Sequence, residues 1–120
     1  MALRCLLVDD NPELLQALRS FLEREGITVV GVASTIAEAV RLVAELRPQV
    51  ALVDIDLGGE SGFDLVNEIV RADGDAAPAM ILISAHVGAD FADLVAASPA
   101  VGFLSKSELS AAGIASLLEG

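Results

Sequence analysis

Hydrophobic residues occur along this chain in two alternating kinds of segment. Short runs rich in Val, Ile and Leu predict five strands, and apolar residues at helical spacing follow each of them. The predicted strands are Leu3–Val8, Ile27–Ala33, Val50–Val53, Ala79–Ile83 and Ala100–Leu104. Their hydrophobicity is continuous and does not alternate. That pattern is typical of a parallel sheet covered by helices on both faces.

Capping signals delimit the predicted helices. Asn11 followed by Pro12 predicts the start of the first helix, and Gly26 its end. Thr35 and Glu38 stand at capping-box spacing at the start of the second. The remaining boundaries are an end of the second helix before Pro48, a third helix from about Ser61 to Ala72, a fourth from about Val87 to Ala97, and a fifth that opens at Ser107-Glu108.

Length and charge narrow the classes of protein to consider. A chain of 120 residues fits one domain, which we expect to span residues 1–120. The net charge of -11 disfavours direct binding to nucleic acid or to anionic membrane surfaces. No apolar stretch has the length of a membrane helix, Cys5 is the single cysteine, and no signal peptide precedes the first strand. We therefore expect a cytoplasmic location.

Polar residues follow four of the five predicted strands. Asp9-Asp10 follows the first, Asp54 the third, Ser84 the fourth, and Lys106 stands just past the fifth. In open parallel sheets, ligands bind beyond the carboxyl ends of the strands where the winding direction reverses. If the strand order is 2-1-3-4-5, the reversal lies between strands one and three. Three carboxylates then meet there, with the hydroxyl and the ammonium on the other side.

Such a cluster favours phosphoryl chemistry. Three carboxylates in one pocket repel unless a cation relieves them, and Mg²⁺ prefers hard oxygen ligands. Asp54 could act as a nucleophile on phosphorus, with Lys106 neutralising the phosphoryl oxygens and Ser84 donating a hydrogen bond. The product would be an aspartyl phosphate.

In these features the sequence resembles the receiver domains of two-component response regulators over essentially its whole length. The resemblance rests on the ordered set Asp9-Asp10, Asp54, Gly62, Ser84-Ala85, Phe103 and Lys106. It implies a flavodoxin-like, doubly wound sheet of five parallel strands with five helices. It also implies a signalling switch that catalyses only its own phosphorylation and dephosphorylation, and a histidine kinase or phosphotransfer protein as partner.

The resemblance assigns a role to each site residue. Asp54 would accept the phosphoryl group, and Mg²⁺ would be held by Asp9 or Asp10, by Asp54 and by the backbone carbonyl of Asp56. Ser84 and Phe103 would form a switch pair, although Phe103 fits simple core packing equally well. The positions of Asp56 and His86 are those that tune the phosphoryl lifetime. Helix four, strand five and helix five would form the output face, with a homodimer through that face as one possibility.

Two positions depart from the family pattern. Receivers commonly have proline directly after the lysine, where this chain has Ser107, and frequently four residues after the phosphoacceptor, where it has Gly58. A cis bond before a non-proline residue costs about 3–4 kcal/mol, so the geometry of a cis proline is not expected before Ser107.

Three other functions remain as alternatives. Asp54-Ile-Asp56-Leu resembles the nucleophile motif of haloacid-dehalogenase phosphohydrolases, but that motif normally ends a first strand. A flavin carrier would need a hydroxyl-rich loop after strand one and has no Trp or Tyr here to stack on the flavin. A receiver-like adaptor that takes no phosphate would not need the complete acid, serine and lysine set. The chain resembles receivers attached to helix-turn-helix transcription factors, and a stand-alone receiver is the other possibility.

Overall fold

The computed structural model describes residues 3–85 and 92–119, and its five strands form a single parallel sheet. The strands are β1 Arg4–Val8, β2 Thr28–Ala33, β3 Val50–Asp54, β4 Ala79–Ser84 and β5 Gly102–Ser105. Their order is β2-β1-β3-β4-β5, with every neighbouring pair parallel. The strand order predicted from the sequence is therefore confirmed, and the winding reverses between β1 and β3.

Helices follow the strands in the predicted alternation. They are α1 Pro12–Arg24, α2 Ile36–Leu46, α3 Gly62–Asp73, α4 Ala92–Ala97 and α5 Ala111–Glu119, with 3₁₀ turns at Gly74–Ala76 and Lys106–Glu108. The predicted first part of the fourth helix lies outside the described residues. The fold class is thus the predicted doubly wound α/β sheet.

The continuous hydrophobicity of the strands is explained by a core on each side of the sheet. On one side, Leu6, Val53 and Leu82 pack with residues of α2 and α3. On the other side, Leu7 and Leu52 pack with residues of α1 and α5. Because successive residues of a strand point to opposite faces, each central strand supplies both cores. β3 is buried along its whole length, Asp54 included.

The caps predicted for the first two helices are present. Asn11 Oδ1 accepts hydrogen bonds from the amides of Glu13 (3.0 Å) and Leu14 (3.3 Å) at the start of α1. Thr35 Oγ1 accepts from the Glu38 amide at 3.2 Å, as the capping box requires. The Glu38 carboxylate reaches back to the amide of Ser34, at 2.9 Å. These caps fix where α1 and α2 begin, beside the carboxyl ends of β1 and β2.

The predicted start of the fifth helix is wrong. Ser107 and Glu108 lie in the 3₁₀ turn, and α5 begins at Ala111. Ser110 supplies the actual cap, since its Oγ accepts from the Gly113 amide at 3.0 Å. Strand five likewise runs two residues later at its start than predicted and ends at Ser105. A hydrogen-bonding serine and glutamate therefore occur here in a turn that is separate from the helix start.

Candidate functional site

The sheet places the predicted chemical groups at one edge, beyond the carboxyl ends of β1, β3, β4 and β5. They surround an open cavity of about 210 Å³. Its lining consists of Asp9, Asp10, Asn11, Asp54, Asp56, Ser84, Ala85 and Lys106. The acids, the hydroxyl and the ammonium identified from the sequence thus share one pocket at the reversal point.

Lys106 bridges two buried carboxylates from neighbouring strands. Its Nζ lies 2.8 Å from Asp9 Oδ2 and 3.0 Å from Asp54 Oδ2. Asp9 and Asp54 are 1% and 5% exposed, so both charges are largely removed from water. Burial lowers the pKa of the lysine, but its hydrogen bonds and charge interactions with Asp9 and Asp54 outweigh this and raise it overall. Lys106 is therefore a stable cation between the two acids.

Both oxygens of the Asp54 carboxylate have partners, which fixes its orientation. Oδ2 accepts from Lys106 Nζ, and Oδ1 accepts from the backbone amide of Asp56 at 3.1 Å. Burial raises the pKa of Asp54, assisted by the negative charge of Asp9 and opposed by the hydrogen bonds from Lys106 and Asp56. The carboxylate is thus held in one orientation, and its charge is balanced in part by the Lys106 ammonium. A nucleophile at this position would need such an orientation.

Carboxylates from β1 and β3 also form a group with the spacing of a cation site. Asp9, Asp10 and Asp54 each offer an oxygen, and these oxygens lie within 4.8 Å of one another. Asp9 Oδ2 is buried, and the contact described for it is with the Lys106 ammonium at 2.8 Å. Carboxylate oxygens this close together, in an all-oxygen donor set, fit a hard divalent cation such as Mg²⁺.

Two glycines allow the loop after β3 to approach this site. Gly58 has φ +61°, which proline cannot adopt, and a Cβ there would lie 2.5 Å from Asp10 Oδ2. A Cβ on Gly62 would lie 2.2 Å from the carbonyl oxygen of Asp54. A proline at position 58 could not adopt this loop conformation, and Gly62 permits close packing of α3 on the end of β3.

The other predicted site residues are placed as follows. Ser84 is 4% exposed and lines the cavity. Phe103 lies half-buried in the core of α2 and α3, whereas its neighbour Leu104 packs on the opposite side of the sheet. The Asp56 carboxylate accepts from the Gly58 amide at 3.1 Å and is not in the acidic group of Asp9, Asp10 and Asp54. His86 lies outside the described residues.

Sequence reasoning missed the surroundings of Lys106. The double contact with Asp9 and Asp54 depends on side-chain directions across three strands, which spacing alone does not give. Ser105, which is 2% exposed, lies between the predicted fifth strand and Lys106, and the sequence pattern predicts no role for it. The signal that points to Ser105 is its hydroxyl directly before Lys106, the charged residue just past the end of β5.

The sequence matches the family described as "Response regulator receiver domain" over residues 5–117. The chain belongs to this family. Receiver domains generally use Mg²⁺, and the group of Asp9, Asp10 and Asp54 could bind a metal ion. Among the residues described, no peptide bond is cis, so the bond between Lys106 and Ser107 is trans.

Relatives of this receiver have several outputs. It is 34% identical over 110 residues to the transcriptional regulatory protein LiaR of Bacillus subtilis (strain 168), covering 91% of this chain and 51% of LiaR. It is 38% identical over 66 residues to protein-glutamate methylesterase/protein-glutamine glutaminase 3 of Hahella chejuensis (strain KCTC 2396), covering 55% of this chain and 19% of that protein. A two-component response regulator of the LuxR family from Aurantimonas sp. SI85-9A1 superposes with a TM-score of 0.87 at 31% identity, over 99% of this chain and 87% of that one.

This receiver therefore spans about half the length of a transcriptional regulator such as LiaR, and a smaller share of an enzyme relative. The family is mostly one of signalling domains, and some of its members are parts of enzymes. None of the helices described in this receiver is long and apolar enough to cross a membrane.

Replacing Asp10 with asparagine should stabilise the metal-free receiver. Asp10 is exposed and adds a third negative charge to the buried pair of Asp9 and Asp54. We expect the free energy of unfolding to rise by about 0.5–2 kcal/mol in EDTA. Mg²⁺ should raise the urea midpoint of the wild type by mass action and that of Asp10→Asn much less. An equal effect of Mg²⁺ on both proteins, or none on either, would contradict a shared cation site.

The pH dependence of stability should report the raised pKa of Asp54. The stability contributed by this carboxyl is fully present below its ordinary pKa of 3.8 and is lost as the pH rises through the raised folded-state value. In EDTA, Asp54→Asn should therefore be more stable than the wild type at pH 7, and the difference should shrink as the pH falls towards 3.8. Urea titrations followed by circular dichroism measure this. If the difference in the free energy of unfolding between Asp54→Asn and the wild type grew on acidification, the prediction would be contradicted.

Proposed function

We propose that this receiver is a phosphorylation-dependent signalling switch whose phosphoacceptor is Asp54. The observation that supports it most is the buried Asp54 carboxylate, with both oxygens held, between the ammonium of Lys106 and the acidic group that Asp9 and Asp10 complete. The phosphodonor would be a histidine kinase or phosphotransfer protein, as the family implies.

Transfer requires an Asp54 oxygen to attack phosphorus while the bond between phosphorus and the donor imidazole breaks. The imidazole nitrogen keeps the electron pair of that bond and is protonated. Mg²⁺, held by Asp9, Asp10, Asp54 and the carbonyl of Asp56, would neutralise charge on the phosphoryl oxygens. Asp54 must leave its ion pair with Lys106 as the new bond forms. The ammonium, already beside Asp54, is then available to the phosphoryl oxygens.

The response to phosphate is proposed to run through Ser84 and Phe103. An aspartyl phosphate adds negative charge and strong acceptor oxygens beside the Ser84 hydroxyl, which could gain a charge-assisted hydrogen bond. Phe103 lies on the other side of β5 from Lys106, in the core of α2 and α3. A change in its packing would bias a pre-existing equilibrium at the face of α4, β5 and α5. A second copy of the receiver or another protein would bind that face. Asp56 and His86 would tune the lifetime of the aspartyl phosphate.

Labelling with a small phosphodonor tests the proposed function. Acetyl phosphate should add one phosphoryl group to the intact mass of the wild type when Mg²⁺ is present, and none in EDTA. The label should disappear on dilution into donor-free buffer, because an acyl phosphate hydrolyses. No added mass with Mg²⁺ would contradict the proposal. Sustained hydrolysis of a phosphomonoester would favour a phosphohydrolase instead.

Lys106→Ala should separate phosphoryl uptake from the response. Mg²⁺ would carry much of the charge stabilisation during transfer, so labelling should persist at a rate about 10- to 100-fold lower. The conformational response should be lost, because no ammonium would draw the phosphoryl group and β5 together. Amide spectra of α4 and β5 recorded with and without beryllofluoride measure it. Wild-type shifts in the variant would contradict this role for Lys106.

A further inference from the structure

Three polar side chains beside Lys106 form a continuous chain of hydrogen bonds. Ser105 Oγ donates to Glu108 Oε1 at 2.8 Å, and Ser105 Oγ and Ser107 Oγ lie 3.0 Å apart. Ser105 is 2% exposed, whereas Glu108 is at the surface. A buried hydroxyl is thus satisfied by side chains of the 3₁₀ turn that carries the lysine.

The direction of these bonds follows from the number of hydrogens. A serine hydroxyl has one hydrogen, and that of Ser105 is used by Glu108. Ser107 must therefore donate to Ser105, and the order is Ser107 hydroxyl, Ser105 hydroxyl, Glu108 carboxylate. Each bond polarises the next, and the last one has an ionised acceptor, so the chain is stronger than isolated neutral bonds.

The residues of this 105–108 hydrogen-bond chain flank Lys106 in the sequence. Ser105 precedes the lysine on β5, and Ser107 and Glu108 follow it in the turn. Ser105 pairs with Ser84 across the sheet, while the Lys106 side chain crosses to Asp9 and Asp54 at the ends of β1 and β3. The hydrogen bonds of the neighbouring residues thus restrain the backbone at Lys106, while its ammonium contacts the carboxylates of Asp9 and Asp54.

The turn from Ser105 to Glu108 contains no proline that would restrict its backbone. A proline after the lysine would fix its own φ through its ring and would restrict the backbone of Lys106. Ser107 imposes neither restriction. A freely rotating turn would let the long lysine side chain sample positions away from the two carboxylates. The side-chain hydrogen bonds across the turn are the restraint that this sequence supplies in its place.

We propose that Ser105, Ser107 and Glu108 are positioning residues that hold the turn so that Lys106 reaches both Asp9 and Asp54. Their effect on phosphoryl transfer rests on the proposed function, but their effect on the placement of Lys106 does not. Removing the Ser105 hydroxyl or the Glu108 carboxylate should release the ammonium from the carboxylates of Asp9 and Asp54 for part of the time. Transfer to Asp54 would then slow without loss of the acceptor itself.

The chain contains a single lysine, which allows Lys106 to be observed directly. Protein labelled with [¹³Cε]lysine gives one lysine methylene signal, and the same protein in urea supplies the released position. The signal of Ser105→Ala and of Glu108→Ala should move towards the urea position. Acylation of Lys106 by an activated ester should become about three- to tenfold faster, as expected from the loss of one such hydrogen bond. Glu108→Gln keeps an acceptor oxygen but loses the charge of the carboxylate, so its Lys106 signal and acylation rate should lie between those of the wild type and of Glu108→Ala.

Two further variants separate positioning from a general loss of stability. Ile114→Val removes a methylene group from the core of α1 and α5 without touching the turn. Glu119→Ala removes an exposed negative charge at the end of α5. Neither should change the Lys106 signal or its acylation rate.

Phosphorylation supplies the functional readout. With acetyl phosphate and Mg²⁺, labelling of Ser105→Ala and Glu108→Ala should be about three- to tenfold slower than that of the wild type. Adding Glu108→Ala to Lys106→Ala should slow labelling no further, because the residue that is positioned is already gone.

Three results would overturn the inference. They are a wild-type Lys106 signal in both Ser105→Ala and Glu108→Ala, a Lys106 signal displaced as far in Glu108→Gln as in Glu108→Ala, and additive slowing in the double variant. The absence of labelling in the wild type, with the expected movement of the Lys106 signal, would instead contradict the proposed function and support the positioning.

Discussion

Asp54→Asn should gain no phosphoryl group from acetyl phosphate and Mg²⁺ under conditions that label the wild type to completion. Asparagine has the same shape and can keep the hydrogen bond from the Asp56 amide, so the fold should persist. The side-chain amide of asparagine is neutral and is too weak a nucleophile to attack phosphorus. Lys106 then faces either the amide nitrogen or an uncharged carbonyl oxygen in place of a carboxylate oxygen. Intact mass spectrometry measures the outcome.

Asp56→Asn is the matched control for this loss. Asp56 is an exposed aspartate two residues after Asp54, in the loop that follows β3, and its carboxylate accepts only a local hydrogen bond from Gly58 among the contacts described. This variant should still gain one phosphoryl group, at a changed rate if Asp56 tunes the lifetime. Equal labelling of Asp54→Asn and the wild type would contradict the assignment of the acceptor.

Gly62→Ala should destabilise the receiver by about 3 kcal/mol or more. Its Cβ would lie 2.2 Å from the Asp54 carbonyl oxygen, 2.9 Å from the Asp54 carbonyl carbon and 3.0 Å from Ile55 Cα. All three are backbone atoms at or just after the end of β3, so the clash can be relieved only by moving the strand that carries Asp54. Urea unfolding followed by circular dichroism measures the loss, and labelling of Asp54 should slow as well.

Gly113→Ala provides the comparison within a helix. Its Cβ would lie 3.2 Å from the Ser110 hydroxyl and 3.6 Å, an ordinary contact distance, from the Glu108 carbonyl oxygen and from Leu104 Cδ1, and alanine is the better helix former. This variant should be neutral or slightly more stable than the wild type. If Gly62→Ala were as stable as Gly113→Ala, the close packing of α3 on the end of β3 would not be required.

The sheet and the members of the site could be predicted because the information for them is local. Continuous apolar runs give buried parallel strands, and the residue at the end of each run gives a group at the ligand-binding edge. Asp9, Asp54, Ser84 and Lys106 were found in this way. Their convergence in one cavity follows from the strand order alone.

What could not be predicted depends on side-chain directions. Ser107 and Glu108 have the composition of a helix start, but Glu108 accepts from Ser105, so α5 begins only at Ala111. The Glu60 carboxylate accepts from the Ile36 amide at 3.0 Å, which joins the loop after β3 to the start of α2 across 24 residues. Such contacts leave no periodic signal in a single sequence.

Locating the phosphoryl group within the chain tests the central claim most directly. Borohydride reduces an aspartyl phosphate to homoserine, which leaves a permanent mark at the modified residue. After labelling with acetyl phosphate and Mg²⁺, reduction and digestion with trypsin, the peptide of residues 42–71 should carry homoserine at position 54 and unmodified aspartate at Asp56 and Asp64. Homoserine at Asp9, Asp10 or Asp56, or a phosphoryl group stable to borohydride on a serine, would contradict the account.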